Sequence, residues 1–185
     1  MKRWTIHKRG TVFSAKIFSV DTLECAHPDG MSHTFSVLKS PDCINIVPVT
    51  EDGRIILVRQ HRLGTDTVTV ETPGGIIDEG EDALDAAGRE LREETGYVAR
   101  EIVRLHTLQM NPAIMNSNVH FYFAKGCTKA GNQQLDREED IEVLTADIRE
   151  VEEMIQRGEI AHVMVIAALS LYAAATNTDI SLFRK

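Results

Sequence analysis

The chain has 185 residues, 43% hydrophobic and 26% charged, with a formal net charge of −8. That length suits one domain or one domain with a small extension, and the composition excludes a disordered chain. The acidic balance argues against a nucleic-acid or anionic-membrane surface, both of which need a basic face, but leaves room for phosphorylated small molecules held through cations.

In chain order, Val12–Val20 reads as a first strand. Pro28-Asp29-Gly30 is a turn signal, and Thr34–Leu38 returns as a second strand. Ile44–Val49 and Arg54–Arg59 form a hairpin closed by Glu51-Asp52-Gly53. Thr67–Glu71 is a further strand, with Val68 and Val70 on one face, stopped by Pro73-Gly74-Gly75. A helix over Asp82–Thr95 follows, with Asp82 as N-cap, Asp85 in a capping-box-like place and Gly96 as the stop. Leu84, Ala87 and Leu91 form its packing face.

Val98–Met110, Val119–Ala124 and Ile141–Thr145 read as later strands. Asp147–Arg157 is amphipathic through Ile148, Val151, Met154 and Ile155, with Gly158 at its end. His162–Ala175 is a final buried helix. Its apolar run is too short to span a bilayer. The order predicts a mixed α/β sandwich with helices on the sheet faces. A boundary near residues 40–44 separates an N-terminal β extension, 1–43, from a main domain, 44–185. Cys25, Cys43 and Cys127 have neither zinc nor disulfide spacing, and no apolar leader opens the chain. A cytoplasmic location is the expectation.

The chemistry concentrates between Gly75 and Tyr97. At about 100° per residue, Glu90 and Glu94 lie one turn apart beside the packing face, with Glu93 one step around. Like charges at this spacing cost roughly 0.2–0.5 kcal/mol per pair, and the helix C-terminus disfavours them further. Two readings fit. Either Arg89 and Arg92 neutralise a solvated acidic face, or a divalent cation gathers the carboxylates. The glycines at 74, 75 and 80 favour the second, because they let the backbone turn sharply and bring a carbonyl beside the acids.

The same segment resembles the Nudix box. Gly75, Glu81, Arg89, Glu90, Leu91, Glu93, Glu94 and Gly96 match its pattern, and Tyr97 replaces the usual aliphatic. Weaker similarity runs from Ile44 to Ala175. The resemblance implies an α/β/α sandwich that hydrolyses a nucleoside diphosphate linked to another moiety, with Mg²⁺ or Mn²⁺. It implies metal ligation by Glu90, Glu94, Glu93 and the Gly74 carbonyl, with Arg89 orienting the glutamates and Glu81 supporting the loop or an outer metal. Val58-Arg59-Gln60-His61-Arg62, Glu71-Thr72-Pro73-Gly74-Gly75 and Pro112 resemble the ADP-ribose and nucleotide-sugar pyrophosphatase branch. On that likeness Gln60, Arg62, Glu71 and Pro112 are substrate-binding candidates. Glu139, then Glu138, is the further metal ligand or base, with Glu142 an outsider. His61 replaces the branch's usual aromatic, and Met110–Asn116 replaces its usual Ser-Pro-Gly run, which leaves other nucleotide sugars open. The resemblance also implies a homodimer formed through the N-terminal strands. The alternatives are a pyrophosphatase that sanitises nucleoside triphosphates, and a sensing module that binds a nucleotide sugar without cutting it.

Overall fold

The computed structural model describes residues 1–180, which fall into two compact units. The first holds Met1–Asp42 and Leu108–Asn118. The second holds Cys43–Thr107 and the chain from Val119 onward.

The first unit is built on an antiparallel sheet of β1 (Thr5–Ser14), β2 (Ser19–Ala26) and β3 (Ser32–Lys39). The expected strand Val12–Val20 is therefore two strands. Ala15 donates to the Phe18 carbonyl at 2.8 Å and reverses the chain, in a turn with no glycine or proline to announce it. The turn at Pro28-Asp29-Gly30 forms as read, with Gly30 at φ +96°. Leu23 and Cys25 are buried, as is Asp21, which Thr11 satisfies at 2.8 Å. Leu108–Asn118 joins this unit although the sequence reading put it in the main domain. Leu38 N–H donates to the Ile114 carbonyl at 2.8 Å, and Asp42 accepts the Asn118 N–H at 2.7 Å.

The second unit carries a larger mixed sheet, ordered β10 (Ile141–Ala146), β5 (Ile55–Arg62), β4 (Cys43–Thr50), β9 (Asn118–Lys129) and β7 (Tyr97–Val98). β6 (Thr67–Glu71) pairs with β5, and β8 (Glu101–Gln109) pairs with β9. The β4–β9 pair is parallel and the β5–β10 pair antiparallel. β4 is a near-continuous apolar run because both its faces are covered. Ile44 and Ile46 pack on Ala86, Ala87 and Leu91 of α1 (Ala83–Thr95). On the opposite face, Phe123 of β9 meets Tyr172 of α3 (Val163–Thr176) edge-on at 4.9 Å between centroids. α2 (Ile148–Gln156) buries Val151.

Several local expectations change. Leu84 is exposed and Ala86 replaces it in the packing face of α1. Asp82 caps α1 through the Leu84 N–H, but the reciprocal box forms in α2, between Asp147 and Glu150. Asp85 is one methylene shorter than the glutamate such a box needs to reach back. Val70 is buried whereas Val68 is exposed, because β6 leaves the covered part of the sheet toward its start. Val98–Met110 is broken between β7 and β8, where Arg100 N–H turns to the Lys125 carbonyl at 3.0 Å. α3 buries one side only, through Val165, Ala168, Leu169 and Tyr172.

Candidate active site

The site begins where β6 runs into the glycine loop. Ile46 N–H donates to the Pro73 carbonyl at 3.0 Å and Ile44 N–H to the Gly75 carbonyl at 2.9 Å. In extended chain alternate carbonyls face opposite ways, so the Gly74 carbonyl between them is turned away from β4. The approach is close. A Cβ on Gly74 would collide with the Ile44 carbonyl, and one on Gly75 would fall within the Glu90 carboxylate. The loop is anchored below by a buried pair: Thr72 Oγ1 donates to Asn45 Oδ1 at 2.7 Å, and Asn45 Nδ2 returns to the Thr72 carbonyl at 3.3 Å.

α1 sets the carboxylates against this loop. Glu94 is 4% exposed, and its Oε2 accepts the Gly74 N–H at 3.0 Å. Burial, then the Glu90 charge, pushes its carboxyl up to about 8, against the pull of the Gly74 N–H. Glu90 is also raised, chiefly by burial, with Arg89 working the other way. Arg89 gathers the remaining acids. Its Nε and Nη2 reach Glu81 at 2.8 and 2.9 Å, and its Nη1 reaches Glu90 at 2.9 Å and Glu93 at 3.0 Å. Its Nη2 also donates to the Ile76 carbonyl at 3.1 Å. Glu81 Oε2 accepts the Asp78 N–H at 3.0 Å, so it braces the loop.

These groups line a cavity of about 480 Å³ walled by the second unit: Gln60, Arg62, Gly74, Gly75, Ile76, Asp78, Arg89, Glu90, Glu93, Glu94, Asp136 and Glu139. Arg62 is held bidentately by the buried Glu71, at 2.8 and 2.6 Å, and Thr69 donates to the same carboxylate at 2.6 Å. Burial works against the Glu71 charge, but Arg62 and Thr69 outweigh it and hold the carboxyl below its ordinary value. Glu71 therefore presents Arg62 to the cavity instead of lining it.

Of the two post-box candidates, Glu139 reaches the wall and Glu138 is exposed and off it. Glu142 pairs with Arg59 at 2.8 Å. Pro112 is exposed in the first unit. Asp78 and Asp136 also line the cavity, beyond the residues that the sequence pattern marks. Asp78 was visible inside the box and Asp136 beside the acidic run, but neither position carried a motif.

Among the described residues, no three His, Cys, Asp or Glu side chains converge closely enough to hold an ion as they stand. Arg89 occupies one oxygen each of Glu90 and Glu93. The donor set nevertheless suits a hard divalent cation. Buried Glu94 and half-buried Glu90 carry raised affinities for a proton, an outward backbone carbonyl sits beside them, and the cavity wall is oxygen-rich. A positive ion offsets both the burial and the repulsion that lift these carboxyls.

Residues 39–169 match the NUDIX domain. The ADP-ribose pyrophosphatase of Bacillus subtilis (strain 168) is 27% identical over 150 residues, 80% of this chain and 81% of that protein. The ADP-ribose pyrophosphatase of Mycobacterium tuberculosis (strain ATCC 25618 / H37Rv) is 30% identical over 169 residues, 90% of this chain and 82% of that one. A crystal structure of an ADP compounds hydrolase superposes with a TM-score of 0.84 over 95% of each chain at 24% identity, a likeness of fold.

Proposed function

Because the chain belongs to the Nudix family, we propose that it hydrolyses the diphosphate linkage of a nucleoside diphosphate sugar, ADP-ribose or a similar compound. The products are a nucleoside monophosphate and a sugar phosphate. One observation carries the reading: Arg62, anchored by Glu71, faces the same cavity as Glu90 and Glu94. A fixed guanidinium opposite a cation site suits two linked phosphates.

Divalent cations serve this family, and here the ion is Mg²⁺, with Mn²⁺ as a substitute. Glu90, Glu94, Glu93, Glu139 and the Gly74 carbonyl would hold it. When bound, it neutralises phosphate oxygens and lowers the pKa of the attacking water. The chain's own residues do the rest. Arg62 and Gln60 orient the diphosphate, Arg89 fixes the rotamers of three glutamates, and Glu139 takes the proton from the water.

The test is a screen of ADP-ribose, GDP-mannose, UDP-glucose and 8-oxo-dGTP, with phosphatase-coupled phosphate release, in Mg²⁺, Mn²⁺ or chelator. Release from at least one nucleotide sugar, lost with chelator and lowered by roughly 10²–10⁴-fold but still measurable in Glu139→Gln, is the expected result. Turnover of 8-oxo-dGTP alone would move the assignment to triphosphate sanitising. No turnover of any compound would favour a sensing module.

We further propose a homodimer through the N-terminal extension. β1 is exposed along its whole length and carries Ile6, Val12 and Phe13. An exposed strand with apolar side chains is a template for pairing. Light scattering is expected to give twice the chain mass, and a monomeric mass would remove the proposal. Cys25 and Cys127 are buried free thiols, which supports a cytoplasmic location that cell fractionation can check.

A further inference from the structure

The last turn of α1 is capped by a segment far along the chain. Gly96 N–H closes on the Arg92 carbonyl at 2.7 Å. The next four carbonyls all go to Lys129–Gln134. Glu93 accepts the Gln134 N–H at 2.8 Å, and Glu94 accepts Gln133 Nε2 at 2.6 Å. Thr95 accepts Lys129 Nζ at 2.7 Å, and Gly96 accepts the Ala130 and Gly131 N–H groups at 2.9 and 3.1 Å. Helix ends normally leave such carbonyls to water or local caps.

Gln133 does more than cap. Its Nε2 also donates to the Ile141 carbonyl, at 2.9 Å, where β10 begins. A primary amide nitrogen carries two hydrogens, and both are used. Gln133 and Ile141 flank the loop that bears Asp136 and Glu139 on the cavity wall. That loop is exposed apart from half-buried Leu135, with one internal turn: Glu139 N–H donates to the Asp136 carbonyl, and Asp136 N–H to Glu139 Oε2, both at 3.0 Å.

We propose that Gln133 is a positioning residue, whose single amide ties both ends of the Glu139 loop to the Glu94 carbonyl and so fixes the reach of Glu139 to the carboxylates of α1. This rests on the reading of the cavity as the hydrolytic site. Gln133 itself does not line the cavity. Pinning the base of a short loop removes much of its freedom, and misplacement of a reacting group by about 1 Å costs on the order of 10²-fold in rate.

Gln133→Met keeps the shape and removes both donors. Gln133→Asn is gentler, keeping the amide but shortening its reach. Hydrogen exchange on the whole protein reads the tether without activity. Exchange at Glu139 N–H is expected to quicken at least tenfold in Q133M and less in Q133N, with the α1 amides unchanged. Turnover supplies a second arm. Q133M is expected to lower kcat at least tenfold with KM within threefold, and to add less than twofold in a Glu139→Gln background. Unchanged exchange at Glu139, or equal losses of kcat in both backgrounds, would overturn the proposal. A fully active Glu139→Gln protein would instead refute Glu139 as the base, and the exchange result would still decide the tether.

Discussion

Replacing Glu94 by Gln should make the cation-free protein more stable while destroying its activity. Its carboxyl is displaced from an ordinary 4.5 to about 8 because burial and Glu90 oppose the charged form. In the unfolded chain the group ionises near 4.5, so between 4.5 and about 8 the folded state binds the extra proton. Folding stability then falls as pH rises through that window, and the full penalty is present above it. At ~1.4 kcal/mol per pKa unit the ceiling is about 5 kcal/mol, and relaxation of the site brings it to roughly 2–5 kcal/mol. Gln carries no charge to bury and can still accept the Gly74 N–H. For a chain of this size the gain at pH 8.5 corresponds to roughly 5–15 °C in Tm. The assay is thermal unfolding of wild type and E94Q in chelator at pH 5.5 and 8.5, repeated with Mg²⁺. The wild type should lose stability toward pH 8.5 and recover it with Mg²⁺, and E94Q should do both to a much smaller extent, set by the raised Glu90 carboxyl that it keeps. Parallel pH dependences in the two proteins would refute the argument, and so would retained Mg²⁺-dependent turnover in E94Q.

Gly75→Ala should leave stability within about 1 kcal/mol, since the obstructing group is the movable end of Glu90, yet cost at least 100-fold in kcat/KM by displacing that carboxylate. Steady-state kinetics with a melting curve separate the two. Arg62→Ala strands the buried Glu71 carboxylate and should destabilise by about 3 kcal/mol as well as raising KM. Glu71→Gln in the same chain should restore most of the stability but not the KM. Gly96→Ala should cost over 1 kcal/mol, because Gly96 sits at φ +71° and a Cβ there would meet the Gly131 backbone carbonyl. Denaturant unfolding measures it.

The box was legible because its residues sit on one helix, where chemistry follows from local spacing. The hairpin at Gly53 and the stop at Gly96 were legible for the same reason: each is a backbone angle that glycine allows. Contacts that cross elements were not. That Glu71 grips Arg62 depends on the β5–β6 pairing, which sets Arg62 opposite Thr67 and Val58 opposite Glu71. The resemblance ranked Glu139 before Glu138, but that Glu139 alone of the two lines the cavity depends on how one exposed loop turns, and both are glutamates in an acidic run. Gln133 looked like any polar loop residue, because its meaning lies in two carbonyls supplied by α1 and β10. The reversal at Ala15–Phe18 escaped because its residues favour strands.

The parallel pairing of β4 with β9 also orders events in time. Parallel neighbours cannot be joined by a tight turn, and here the connection contains β5, β6, the glycine loop and α1. Antiparallel β5–β6 pairing and the α1 turns draw on nearby residues, whereas β9 must close a long loop before it docks. Lys129–Gln134 starts at the last residue of β9, so α1 is capped only after that closure. The carboxylate helix and Arg62 should therefore gain protection first and the Glu139 loop last on the refolding path. Pulse-labelled exchange during refolding would show the α1 and β6 amides protected ahead of Gln134 and Glu139, and simultaneous protection would contradict that order.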